Sequence, residues 1–94
     1  MKFKAADVVV PINGRDEGKR FLVIGTQEEY SLLADGRNRR VEKPKKKKNK
    51  HLKPDGKAND QIAARLADGG KITNNEIRRL LAQYTVGNGE EGGM

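Results

Sequence analysis

The sequence predicts a mainly β chain with a helical appendage, a small barrel over the first half followed by a short helical hairpin. Three observations lead there. Apolar, β-branched runs broken by polar turns fill residues 7–41. The apolar period then switches to that of helices over residues 59–84. Between them lies RRVEKPKKKKNKHLK, residues 39–53, which holds nine of the twenty Lys and Arg side chains against a single acid, Glu42. That segment carries +8 and the rest of the chain −1, so the whole excess of +7 sits in one stretch. With 94 residues and 34% of them hydrophobic, the chain builds one small domain with a modest core.

DVVVPI, residues 7–12, reads as the first strand, with Pro11 placing it near a sheet edge or a bend. NGRDEGK, residues 13–19, is a polar turn whose two glycines suit positive φ. RFLVIG, residues 20–25, is the second strand, Gln27 to Glu29 a turn, and YSLLA, residues 30–34, the third strand. Asp35-Gly36 is a hairpin signal leading into a fourth strand, RNRRV, residues 37–41. Four short strands with tight turns suggest a barrel, because an open sheet this small would leave much apolar surface wet.

Asn59 can cap a helix with Ile62, Ala63, Leu66 and Ala67 on one side, ended by Gly69-Gly70. Thr73-Asn74-Asn75-Glu76 fits a capping box, and Ile72 with Ile77 fits the hydrophobic staple around it. Ile77, Leu80, Leu81 and Tyr84 then recur on one helical face. Neither helix is long enough to stand alone in water, so both must pack on each other or on the barrel. The Gly-rich, acidic end reads as disordered. The expected organisation is a barrel with a basic extension over 1–54, a helical hairpin over 55–85 and an acidic tail over 86–94.

Residue inventory bears on chemistry. The absence of Cys excludes disulfides and thiolate metal sites. Ser31 and His51 are the only Ser and His; Ser31 sits in an apolar run and His51 among lysines, which does not make a nucleophile and its base. Asp16 and Glu17 read as solvating charges on an exposed turn. No enzyme activity, cofactor, metal or small-molecule substrate is expected. MKFKAADVVVPI has no apolar signal region, so the expectation is a cytoplasmic protein without membrane contact. A pI near 9.9 with clustered charge points to a polyanion as partner.

DVVVPINGRDEGKRFLVIG resembles the KOW motif, a strand, a glycine-containing basic turn and a second strand found in several large-subunit ribosomal proteins and transcription elongation factors. Gly18 stands where the motif keeps its glycine. The continuation YSLLADGRNRRVEKPKKKKNKHLKP is similar to the barrel and basic extension of archaeal and eukaryotic KOW-containing ribosomal proteins. It is more similar still to their small bacterial relatives, the KOW-domain RNA-binding proteins. The resemblance covers residues 5–54 and, more loosely, 59–84. It implies an SH3-like barrel that binds structured RNA, ribosomal RNA above all. Carried over by position, Gly14, Arg15, Gly18 and Lys19 approach the RNA backbone, with Arg20 beside them. Arg37, Arg39, Arg40, Lys43, Lys45, Lys46, Lys47, Lys48, Lys50, His51 and Lys53 make up the basic extension and its approach. Asp16 and Glu17 leave this turn nearly neutral, where strong RNA binders often keep it basic.

Lysines are point charges suited to phosphates, and four in a row cannot all face one way on a strand or helix. They suit wrapping along a backbone, or insertion between the helices of a folded RNA. Phe21 and Tyr30 read as core, Phe3 lies near an end and Tyr84 belongs to a helix face, so no stacking platform is expected and recognition is of backbone and shape. Other readings stay open: a solvated linker, or a nuclear import address in PKKKK. The helix pair serves packing, or binds DNA through Asn74, Asn75, Arg78 and Arg79, although residues 68–73 make a long turn for that purpose. The expected function is ribosome-associated RNA binding by a chain that is monomeric when free. The alternative is a protein-docking module of the transcription or translation machinery.

Overall fold

Val8, Val9 and Val10 are all buried. Neighbouring side chains on a strand point to opposite faces, so the sheet holding them must be covered on both sides. The computed structural model describes residues 2–83 in full and 84–93 only as the course of a helix. The expectations for Tyr84 and for the 86–94 tail lie outside the fully described residues. Five strands, β1 (Asp7–Pro11), β2 (Phe21–Gln27), β3 (Tyr30–Ala34), β4 (Lys45–Lys48) and β5 (Leu52–Lys57), form one antiparallel sheet in the order β4-β3-β2-β1-β5. A single 3-10 turn, Asn49–His51, joins β4 to β5, and helices α1 (Asp60–Ala67) and α2 (Asn74–Gly93) follow.

Register explains the two cores. Val8 pairs with Leu22 and Val9 with Phe21, so alternate residues are sent to opposite faces. One face gathers Val9, Phe21, Val23, Leu33 and Leu52, covered by Phe3 from the N-terminal segment. The other gathers Val8, Leu22 and Ala34 under Ile62 of α1 and Ile77, Leu80 and Leu81 of α2. Bulges between Val8 and Val9 and between Val23 and Gly25 add local twist. The sheet is open, with β4 and β5 at its edges. The wet apolar surface that argued for closure is avoided by the helices on one face and Phe3 on the other.

Four local expectations change. There is no strand at 37–41: Oδ1 of Asp35 accepts the N–H groups of Arg37 (2.8 Å) and Arg39 (2.9 Å), while Asp35 and Gly36 both donate to the Arg39 carbonyl. These bonds close a tight loop in place of a ladder. The fourth strand is instead the lysine run, paired along β3 from Tyr30↔Lys48 to Leu33↔Lys45. Beyond it, β5 pairs with β1 and crosses the expected boundary at residue 54, so the basic extension is built into the sheet. Pro54 is tolerated there because β5 is an edge. Pro11, by contrast, ends an interior strand, opposite Leu52. Finally, Phe3 is core, whereas Tyr30 is only half-buried.

The helix termini follow the local rules. Asn59 Oδ1 accepts the Ile62 N–H (2.9 Å), capping α1, and Gly69 adopts φ +80° just past its end. Thr73 and Glu76 form the reciprocal capping box: Glu76 N–H donates to Thr73 Oγ1 (3.1 Å) and Thr73 N–H to Glu76 Oε1 (2.9 Å). Arg65 of α1 donates to both Glu76 carboxylate oxygens at 2.7 Å and ties the two helices together. That guanidinium is the main cause holding the Glu76 carboxyl below its ordinary value.

Candidate nucleic-acid interface

The β1–β2 turn is shaped by its glycines. Gly14 has φ +87° and Gly18 φ +83°, the left-handed region in which a side chain is strained. Backbone bonds Glu17 N–H to Gly14 O, Lys19 N–H to Asp16 O and Gly18 N–H to Pro11 O hold the loop on itself. Arg15 projects from it, exposed and in no ion pair with another described residue.

This turn lies against the lysine strand. Lys45 Nζ donates to Asp16 Oδ2 at 2.6 Å, Lys47 Nζ lies 3.5 Å from the Asn13 carbonyl, and Lys19 Nζ is 3.7 Å from Asp16 Oδ1. Ile12 N–H donates to the His51 carbonyl, and Asn13 Nδ2 sits 3.0 Å from His51 Nδ1. Turn, β4 and 3-10 turn therefore share one surface. Asp16 is its counter-ion, not the solvating charge expected: the Lys45 hydrogen bond, against the opposing effect of burial, holds its carboxyl below the ordinary value.

Strand alternation divides the lysines. Lys45 and Lys47 turn towards the glycine loop and are half-buried, while Lys46 and Lys48 are exposed and stand over the Tyr30 ring at 4.6 and 6.0 Å. The run is held in a ladder with β3, so it does not form a wrapping segment. Lys50 in the 3-10 turn and Lys53 on β5 are exposed beyond it.

The remaining candidates spread out. Arg20 pairs with Asp55 of β5, and Arg40 Nε lies 3.3 Å from Glu42. Arg37, Arg39 and Lys43 are exposed in the loop before β4, with Arg39 close enough to Asp16 to help lower its pKa. Of the four helix residues considered as base readers, Asn75 and Arg79 are exposed, whereas Asn74 and Arg78 are engaged by the fold. Asn74 is buried: its Oδ1 accepts the Val41 N–H (2.8 Å) and its Nδ2 donates to Glu42, the main cause of the lowered Glu42 pKa. Arg78 donates to the Gly36 carbonyl at 2.6 Å. Ser31 is buried and donates to Asn49 Oδ1 at 2.6 Å. Sequence reasoning missed Asp16, Asn13 and Tyr30 as parts of the surface. Their partners lie 16 to 38 residues away, and only strand pairing brings them close.

Among the described residues, no three His, Cys, Asp or Glu side chains come together as a metal site, and no helix is long and apolar enough to cross a membrane. No protein-family model matches the chain, and no characterised protein matches it either.

Proposed function

We propose that this protein binds structured RNA, ribosomal RNA foremost, through the phosphate backbone, as a non-enzymatic, ribosome-associated factor of the cytoplasm. In this reading the sheet is a KOW-type, SH3-like barrel. The observation that carries the reading is the lysine strand docked beside the glycine turn. A rigid edge strand presents Lys46 and Lys48 outward, next to a turn that offers Arg15 and backbone opened by Gly14 and Gly18. Lysines on a rigid strand suit the fixed spacing of phosphates in a folded RNA. Backbone recognition is further supported by the aromatics: Phe3 and Phe21 are buried, and Tyr30 lies beneath lysines and is not free for a base.

Titration of ribosomal RNA fragments across a salt series tests this. Five or six phosphate contacts give a slope of log affinity against log salt of about −4 to −5. A slope near zero would exclude the basic surface as the binding site. A second reading, a protein-docking module, is favoured by an open groove at the start of α2, lined by the half-buried Ile24, Val41 and Leu66. RNA binding that occurs only when a protein factor is added would support that reading.

A further inference from the structure

A second cationic recess borders the glycine turn. Gly18 and Lys19 of the turn, Arg37 of the 35–39 loop and Arg78, Leu81 and Ala82 of α2 line one cleft of about 480 Å³. Its cations come from three separate elements. Arg20 also borders it but is paired with Asp55, and the Asp35 carboxylate on its wall, which keeps its negative charge, accepts the Arg37 and Arg39 N–H groups at Oδ1. That leaves Arg37 and Arg78, joined by Lys19, whose Nζ is exposed and shared with Asp16 at 3.7 Å. Arg37 is exposed and in no ion pair with another described residue. Arg78 keeps its full charge while bonding a neutral carbonyl, which also fixes its place. The helix supplies an apolar wall, Leu81 and Ala82. At Gly18 no heavy atom lies within 4 Å of where a Cβ would stand, so the mouth is open at the turn.

We infer that this cleft holds one nucleotide of the bound RNA, its phosphate among Lys19, Arg37 and Arg78 and its sugar against Leu81 and Ala82. Cations from three elements beside an apolar wall match a phosphate joined to a less polar sugar. The cleft shares Gly18 and Lys19 with the turn, so an RNA strand leaving the lysine strand crosses the turn and enters it. The helical appendage is thereby part of the RNA interface and not only a cover for the sheet. This inference rests on the RNA-binding reading above.

Ala82→Glu places a carboxylate at the exposed rim of the cleft, and Ala64→Glu makes the same charge change on the exposed side of α1, away from it. Thermal melts of both variants check that each remains folded. In titrations of ribosomal RNA fragments, Ala82→Glu is expected to bind at least about tenfold more weakly than Ala64→Glu. Arg37→Gln is expected to make the salt slope shallower by about 0.7 to 0.9, the loss of one phosphate contact. Equal affinities for the two Glu variants, with an unchanged slope for Arg37→Gln, would overturn the cleft and leave the lysine-strand reading standing. If the wild-type protein shows no saturable, salt-dependent RNA binding, the functional reading itself falls, and the cleft with it.

Discussion

Lys45 and Asp16, 29 residues apart, meet at 2.6 Å with side chains only 23% and 16% exposed, and that contact fastens the lysine strand to the glycine turn. Two segments that sequence alone treats separately, a nearly neutral turn and a lysine run, thus become one surface. The acid that seemed to weaken the turn as a polyanion binder is what orients it.

Stability should therefore depend on acid. Asp16 is held below its ordinary 3.8 chiefly by the Lys45 hydrogen bond, and Glu42 and Glu76 below their ordinary 4.5 chiefly by Asn74 and Arg65. A carboxylate with a depressed folded pKa contributes stability fully above its unfolded value and loses it as pH falls through the folded one. Melting temperature should hold down to roughly pH 5 and then drop on titration towards about pH 2. Asp16→Asn should lower stability at neutral pH by up to about 1 kcal/mol, a few degrees for a chain of this size, and soften the acid drop. An acid limb identical to wild type would remove Asp16 from this role.

The four lysines should separate by parity. Lys45→Gln breaks the half-buried pair and should cost stability of up to about 1 kcal/mol. Lys46→Gln with Lys48→Gln forgoes only exposed cation–π contacts of about 0.5–1 kcal/mol, but removes two outward charges, and should weaken RNA binding about tenfold. Urea melts and RNA titrations on both variants measure this. Proportional losses of stability and affinity in the two would contradict the division.

Two glycines of similar φ should respond differently to Ala. At Gly18 (φ +83°) a Cβ meets nothing within 4 Å, so only backbone strain is added, about 1–3 kcal/mol. At Gly36 (φ +80°) it would run into the Asn74 carbonyl oxygen and stand 2.9 Å from Arg78 Cγ, so the loop or the start of α2 must move as well. Gly36→Ala should therefore be the more destabilising by denaturant unfolding. A Gly18→Ala loss as large or larger would show that the contact between the 35–39 loop and α2 contributes little.

What the sequence determined by itself was everything encoded within a few residues. Thr73 and Glu76 cap α2 because the reciprocal bond spans three positions, Asn59 caps α1 in the same way, and the positive φ of Gly14 and Gly18 follows from a short polar turn between apolar runs. The mainly β first half and the helical second half were legible for the same reason. Tertiary structure alone decided the fate of the basic segment. No local pattern makes a strand of four lysines, since β propensity and alternation are both poor there. It becomes β4 because β3 supplies a ladder, Asp16 a counter-ion and Tyr30 a ring beneath the exposed lysines. Likewise the Asp35 carboxylate, by taking two N–H groups of the following loop, turned an expected strand into a turn. Buried Asn74, with the look of a base reader, was drawn into the fold by Val41 and Glu42, more than thirty residues earlier. Each of these outcomes depends on partners brought close only by long-range pairing, and the energies that select them do not exist until the chain has folded.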